Sequence, residues 1–224
     1  MQPEARAMLE NLYDLFYKKT QDKRKAWNYL LEFLLIDSDV SHIFEIDHKF
    51  EWLFGDLDLV KKTRAIYDDK LLRANYYDHL GNIYLDHFVP KSKVLKTRSY
   101  VKHQSAIDVL ADTVFPESNK RFRFLDIEAG TGRLLMAAYK KAPKAYFFGV
   151  ERNLDLYRIA LTNLAIHDIP ALILNVDLGK YETDISLPNG KYNWHFANTW
   201  NPETNQFRLN SKNYSKKFSP LHQK

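Results

Sequence analysis

The sequence predicts an α/β fold with a parallel sheet over residues 91–224, ending in a basic C-terminal tail, preceded by an α-helical N-terminal domain over residues 1–90. Three observations carry this. Short apolar runs recur at Phe122–Ile127, Ala145–Val150, Ala171–Val176 and Tyr192–Ala197. Segments of helical spacing, Gly132–Ala142 and Leu154–Ile166, separate the first three runs. Upstream of residue 90 the apolar residues follow the helical period. Strands that alternate with helices build a parallel sheet through right-handed crossovers.

Taken in order, residues 4–20 place Met8, Leu9, Leu12, Tyr13 and Phe16 on one helical face. A basic break, Lys18 to Lys25, leads to a second apolar helix from Ala26 to Ile36. The aromatic stretch Phe44 to Phe54 predicts a third helix, closed by Gly55. Asp56 is placed to cap a fourth, carrying Leu59, Val60, Ile66, Tyr67, Leu71 and Leu72 along one side. Trp27 and Trp52 are expected in the core of this bundle. His42, His48 and His79 have no partner at metal-ligand spacing, so structural roles are expected for them.

Tyr77 to Phe88 reads as a helix weakened by Gly81. An interior glycine costs roughly 1 kcal/mol relative to alanine, so something is expected to approach the backbone closely there. Pro90 ends that element. Ser105 to Val114 reads as an amphipathic helix presenting Ile107, Val109, Leu110 and Val114, and Pro116 closes it. After Asn198 the remaining polar, basic residues have room for one short strand, so the sheet reads as shortened at its C-terminal side.

Composition bounds the function. The 224 residues are 45% hydrophobic and 27% charged, as in ordinary globular proteins. With no cysteine, disulfides and thiolate metal sites are excluded, and no metal site is expected. No apolar stretch reaches the roughly 18 residues of a membrane helix, since Glu32 interrupts Leu30–Ile36. The N-terminus has early acids and no signal-peptide pattern, so a cytoplasmic location and no membrane partner are expected. The net charge is +5. Two acid-free segments concentrate it: Lys91, Lys93, Lys96, Arg98 and Lys102 in 91–102, and Arg208, Lys212, Lys216, Lys217 and Lys224 in 208–224. Both suit phosphate contacts, and both equally suit a solvated linker and tail.

The chemistry gathers around Phe124-Leu125-Asp126-Ile127-Glu128-Ala129-Gly130-Thr131-Gly132. Gly130 and Gly132 permit positive φ and let a ligand lie against bare backbone. The helix that opens at Gly132 points its positive end at such a ligand. Glu151 ends the second strand, where an acid can accept both hydroxyls of a ribose. Asp177 ends the third, where an acid or its backbone can meet an adenine amino group. No lysine of the phosphate-loop kind follows the glycines, which argues against a nucleoside triphosphate.

Leu125 to Leu135 resembles the S-adenosyl-L-methionine-binding motif of the adenine-N6 DNA methyltransferases, closest to the modification subunits of type I restriction systems. Asp78-His79-Leu80-Gly81-Asn82-Ile83-Tyr84 is similar to the helix those proteins carry before their cofactor domain. Ser99-Tyr100-Val101-Lys102 to Leu110 sits where they place an extra cofactor-binding motif. Asn163 to His167 and Asn175-Val176-Asp177 also resemble the family. The resemblance covers roughly Asp78 to Pro202 and implies a Rossmann-like class I methyltransferase sheet. It implies that Asp126 and the Gly130–Gly132 turn hold the methionine part of the cofactor; Glu128, a charge where the family has a small residue, and Tyr100 of the extra motif are also placed at the cofactor. Glu151 would bind the ribose, Arg152 or Asn153 would flank the adenine, Asp177 would accept from its amino group, and Leu178 would pack on the ring.

In this family the fourth strand runs into Asn/Asp-Pro-Pro-aromatic, whose Asn orients the target amine and whose ring stacks on a flipped base. Here Asn198-Thr199-Trp200-Asn201-Pro202 keeps Asn198, lacks both prolines, and brings Trp200 one position early. The resemblance thus implies a restriction-modification type of DNA methylation, with Asn198 and Trp200 as catalytic residues. DNA would be the substrate, and a protein partner would supply target recognition. The altered motif leaves a second reading open: a catalytically impaired methyltransferase-like protein that binds cofactor or DNA within a larger assembly.

Overall fold

The structure, a computed structural model, describes residues 2–38, 55–90, 107–109, 111–112, 122–177, 194–196, 200–201 and 206–207. Helix α1 (Pro3–Thr20) opens on Pro3, where the missing N–H costs nothing, and ends on Lys18 and Lys19, which complement the negative end of its dipole. Helix α2 (Lys23–Asp37) begins three residues before the sequence pattern suggests, because the Asp22 carboxylate accepts the Lys25 N–H at 2.9 Å and starts the helix there. Asp56 caps α3 (Leu57–Ile66), accepting from the Leu59 N–H at 3.0 Å. The predicted third helix lies outside the described residues, as do Trp52, His42 and His48.

The fourth predicted helix does not continue through Leu72. Tyr67 is extended, and Asp68 accepts the Lys70 N–H to start a separate short helix, α4 (Asp69–Arg73). An aspartate that bonds a nearby backbone N–H competes with helix continuation, and here it wins. Helix α5 (His79–Phe88) follows, with Asp78 at its cap. Residues 107–109 and 111–112 are helical, and Ile107 and Ala111 are buried four positions apart. Val109, expected on the apolar side, is 64% exposed. Two residues correspond to about 200° of rotation on a helix, so Val109 cannot share the face of Ile107.

The sheet consists of β1 (Arg123–Asp126), β2 (Tyr146–Val150), β3 (Ala171–Leu174) and β4 (Trp194–Phe196), in the order β3-β2-β1-β4 with every pairing parallel. Crossover helices α6 (Arg133–Lys141) and α7 (Leu154–Ile166) join the first three. β1 is one residue shorter than its apolar run at each end, β2 starts one residue later, and β3 ends two residues earlier. The chain winds outward from β1 to β3 and returns to β4 on the other side of β1, with Asp126 opposite Phe196. The order therefore reverses at β1, and in open α/β sheets ligands bind at the carboxyl edge beside such a switch point. A separate antiparallel pair joins β5 (Trp200–Asn201) to β6 (Gln206–Phe207).

Helix α7 is apolar nearly all round because both its sides are buried. Ala160, Leu161, Leu164 and Ala165 pack in the core shared with α6 and the sheet, around Phe124, Phe147 and Ile173. Ile159 and Ile166 pack instead among Leu9, Leu12, Trp27, Leu30, Leu80 and Ile83 of the N-terminal helices. The helical region and the sheet are thus joined by one common helix. Among the described residues no helix is long and apolar enough to cross a membrane.

Candidate ligand site at the carboxyl edge of the sheet

The chain leaves β1 at Asp126 and turns through 127–132 into α6. Gly130 has φ +57° and Gly132 has φ +82°, left-handed backbone that side chains other than glycine's adopt at a cost. The turn closes on itself, the Gly132 N–H donating to the Ala129 carbonyl at 2.8 Å, and it is tied to β2 by the Ala129 N–H donating to Val150 at 3.0 Å. Among the described residues, a side-chain carbon placed on Gly130 would meet nothing nearer than the Glu128 carbonyl at 4.0 Å.

Glu151, the residue after β2, reaches across to the turn. One carboxylate oxygen accepts the Gly130 N–H at 2.9 Å and the other accepts the Asn153 N–H at 2.7 Å. Its own backbone is fixed by bonds to β3: the Glu151 N–H donates to Leu174, and the Asn175 amide donates to the Glu151 carbonyl at 2.8 Å. Asn153 caps α7 by accepting from the Asp155 and Leu156 N–H groups. The sequence thus orders the crevice from both walls, one made by glycines and the other by a buried carboxylate.

Three acids share this crevice. Asp126 is 2% exposed, and burial pushes its carboxyl up to about 7, with Glu151 and Glu128 adding repulsion against a Glu128 N–H that favours ionisation. Burial also raises Glu151 and Glu128, against the Asn153 and Gly130 N–H groups in the first case and Arg152 in both. Buried like charges are costly alone and favourable beside a cation. A cation placed beside these carboxyls would favour their charged forms. Among the described residues no group of three or more His, Asp or Glu is placed to hold a metal ion.

Of the residues singled out by sequence, Asp126, Glu128, Gly130 and Glu151 meet at this turn, whereas Gly132 is buried against α7, where a side-chain carbon would lie 3.5 Å from Ala160. Arg152 follows Glu151 and is exposed, next to the solvent-facing Leu154. Asp177 lies three residues past β3 and is half-buried. Tyr100, Leu178 and Asn198 lie outside the described residues, as do the basic segments 91–102 and 208–224. Trp200 lies in the strand β5, its backbone paired with Phe207.

Sequence reasoning missed a polar cluster beneath the turn. Asp78 is 0% exposed and accepts four hydrogen bonds: from the Gly81 N–H at 2.6 Å, the Asn163 amide at 2.7 Å, the Thr131 hydroxyl at 2.6 Å, and the Arg133 guanidinium. Arg133 also donates to Asn82, and Asn163 also donates to the Thr131 carbonyl at 2.9 Å. The close approach expected at Gly81 is this carboxylate. A methyl group on Gly81 would lie 2.1 Å from an Asp78 oxygen. The helix-interior glycine was the signal, and it named the place without naming the partner. Beside the cluster, His79 and His167 are buried, and burial depresses both rings to about 4.

No protein-family model and no curated protein matches the sequence. Solved structures do. One assigned to the class I S-adenosylmethionine-dependent methyltransferases, from Listeria monocytogenes, superposes with a TM-score of 0.55 at 15% identity, over 87% of this chain and 57% of the other. A type I restriction-modification methyltransferase subunit from Streptococcus thermophilus gives 0.42 at 17% identity, over 64% and 32% of the two chains. A modification subunit assigned to a type I restriction enzyme from Vibrio vulnificus gives 0.39 at 15%, over 55% and 28%. The latter two alignments are too shallow to add to the fold assignment, and the chain spans little more than half the length of the Listeria structure. The parallel sheet, its switch point and the Listeria superposition together make this a Rossmann-like class I methyltransferase fold with helices preceding the sheet.

Proposed function

We propose that this protein binds S-adenosyl-L-methionine at the carboxyl edge of β1 and β2 and transfers its methyl group. The observation that carries this reading is the juxtaposition of Gly130, at positive φ, with the buried carboxylates of Asp126 and Glu151 at the carboxyl edge of β1 and β2. The cofactor has a cationic ammonium and sulfonium and a ribose diol. It supplies a methyl group activated by the sulfonium charge. Asp126 and Glu128 would meet its positive groups, the turn its methionine backbone, and Glu151 the ribose hydroxyls. Arg152 and Asn153 would flank the adenine. Asp177 would accept from its amino group with Leu178 on the ring, and Tyr100 would complete the site from the preceding segment.

Titration calorimetry with S-adenosyl-L-methionine tests the reading directly. A dissociation constant of low micromolar or tighter is expected, on the order of −8 kcal/mol. Gly130→Val should abolish binding, both by placing a side chain at the turn and by straining a positive-φ position. No heat with the wild-type protein would refute the cofactor assignment.

The acceptor we propose is the N6 amino group of adenine in DNA. Asn198 would accept hydrogen bonds from the amine, and Trp200 would stack on the base, an interaction worth roughly 1–3 kcal/mol. The amine loses its proton after transfer, so no strong base is required. The basic segments 91–102 and 208–224 would follow phosphates, and a protein partner would supply target recognition in the cytoplasm. Residues 1–90 form the helical domain in this reading and residues 91–224 the cofactor domain. Transfer of labelled methyl to DNA, compared with Asn198→Ala, decides it: incorporation unchanged by the substitution would remove Asn198 from the chemistry.

One observation favours the second reading, a cofactor- or DNA-binding protein without turnover inside a larger assembly. The segment has neither proline of the Asn-Pro-Pro-aromatic pattern, and Trp200 has its backbone paired to Phe207 in a strand. Cofactor binding without methyl incorporation into any DNA would establish it.

A further inference from the structure

We infer that Asp78 is a positioning residue of the cofactor site, so that the N-terminal helices set the conformation in which the glycine turn meets its ligand. This rests on the cofactor reading above. The carboxylate is buried and is engaged by four donors of the protein itself. It acts through Thr131, the residue between the two positive-φ glycines.

Both polar groups of Thr131 are engaged from the side of the helices. Its hydroxyl donates to Asp78 at 2.6 Å, and its carbonyl accepts from Asn163 at 2.9 Å. Asn163 is itself held by Asp78 through the same amide nitrogen, at 2.7 Å. Arg133, the first residue of α6, donates to Asp78 and to Asn82 of α5, which fixes the start of the crossover helix as well. One buried anion thereby connects α5, the turn, α6 and α7. A turn with two glycines has many accessible conformations, and ordering it costs conformational entropy. Asp78 removes that freedom before ligand arrives, and preorganisation of this kind appears as affinity.

A second bridge, in which the Tyr84 hydroxyl and Arg24 donate to Asp155, links α5 and α2 to α7 without touching the turn. The two bridges separate attachment from positioning.

The experiment uses the full chain with Asp78→Asn, Thr131→Val, Thr131→Ser and Tyr84→Phe. It reads cofactor affinity by calorimetry and, in ligand-free protein, amide hydrogen exchange at Gly130 and Gly132. Thr131→Val removes one hydroxyl, leaves Asp78 three donors, and is expected to fold. It should weaken S-adenosyl-L-methionine on the order of tenfold, the size of one hydrogen bond to a charged group. Exchange at the two glycine amides should quicken by a similar factor. Thr131→Ser should restore both, Asp78→Asn should resemble Thr131→Val, and Tyr84→Phe should change neither. Glycine exchange unaltered in Thr131→Val and Asp78→Asn would overturn the inference, whether or not cofactor binds. Equal loss in Tyr84→Phe would overturn it too, by showing general loosening. Faster exchange in a protein whose wild type binds no cofactor would support the positioning of the turn while removing the cofactor assignment.

Discussion

Replacing Gly81 by alanine tests the buried cluster through the sign of the change. Helix propensity alone predicts a gain of about 1 kcal/mol, because Gly81 lies in the third position of α5 and its flexibility is lost on folding. The structure predicts the reverse. The new methyl would sit 2.1 Å from one Asp78 oxygen and 2.8 Å from its carboxyl carbon, so the carboxylate must swing away. It would then lose the Gly81 cap bond and the bonds from Thr131, Asn163 and Arg133, and leave Arg133 buried without its anion. Breaking one side of a buried ion pair costs about 3–5 kcal/mol. Set against the propensity gain, Gly81→Ala should destabilise by roughly 2–4 kcal/mol. Urea unfolding followed by far-UV circular dichroism measures this, provided the slope with denaturant is unchanged. In an Asp78→Ala background the clash is absent, and the same substitution should be neutral or stabilising by up to about 1 kcal/mol. A neutral or stabilising effect in the wild-type background would refute the packing of Asp78 against Gly81.

Other consequences follow from burial. Asp126 titrates near 7 in the fold against an ordinary value of 3.8, so its contribution to stability is fully present below 3.8 and is lost as pH rises through 7; at roughly 1.4 kcal/mol per pKa unit, Asp126→Asn should be more stable than wild type by a few kcal/mol above that pH, and a flat difference across the range would contradict it. The same carboxyl must ionise to meet a cation, so S-adenosyl-L-methionine should bind more tightly as pH rises from 6 to 8, on the order of tenfold for one proton released per cofactor bound, and calorimetry in buffers of different ionisation enthalpy will detect the proton. His79 and His167 are depressed to about 4, so the stability they contribute is present above 6.5 and lost as pH falls towards 4; His79→Leu should reduce that acid lability in pH-dependent unfolding. Asn153→Ala removes the cap that accepts two N–H groups at the start of α7 and should cost about 1 kcal/mol, measured by the same urea unfolding.

What could be read in the sequence was whatever is encoded locally. Strands buried on both faces produce continuous apolar runs, which is why Phe124-Leu125 and Phe147-Phe148 stood out without alternation. Asp56 and the Gly130–Gly132 turn also signal themselves within a few residues. The break at Tyr67–Asp68 escaped because the apolar spacing runs through it, and only the side-chain bond from Asp68 to its own backbone neighbour ends the helix. Val109 escaped because a short apolar list can be drawn on more than one helical face. The Asp78 cluster escaped for a different reason. Its bonds to Thr131, Arg133 and Asn163 span 53, 55 and 85 residues, and no local pattern encodes a contact of that separation. Gly81 alone betrayed it, as a helix-weakening residue with no local justification.

The two buried aspartates near the turn show why burial does not by itself mark a site. Asp78 and Asp126 are both buried, and each bonds a residue of the same turn, Thr131 in the first case and Glu128 in the second. Asp78 accepts four bonds, one from a guanidinium, so its charge is answered within the protein. Among the described residues Asp126 receives one, from the Glu128 N–H at 3.3 Å, and it stands near Glu128 and Glu151. A buried carboxylate of the first kind is scaffold, since anything that adds charge there must displace a partner. One of the second kind is held towards its neutral form by burial and by its acidic neighbours, and a cation brought beside it would favour its charged form. In the proposed site the two would act as a pair: Asp78 would fix the turn, and the fixed turn would present Asp126 to the ligand. Removing Asp126 should therefore stabilise the protein and abolish binding, whereas disturbing Asp78 should weaken both together. Opposite signs in stability with the same sign in affinity would separate the site from its support in one pair of measurements.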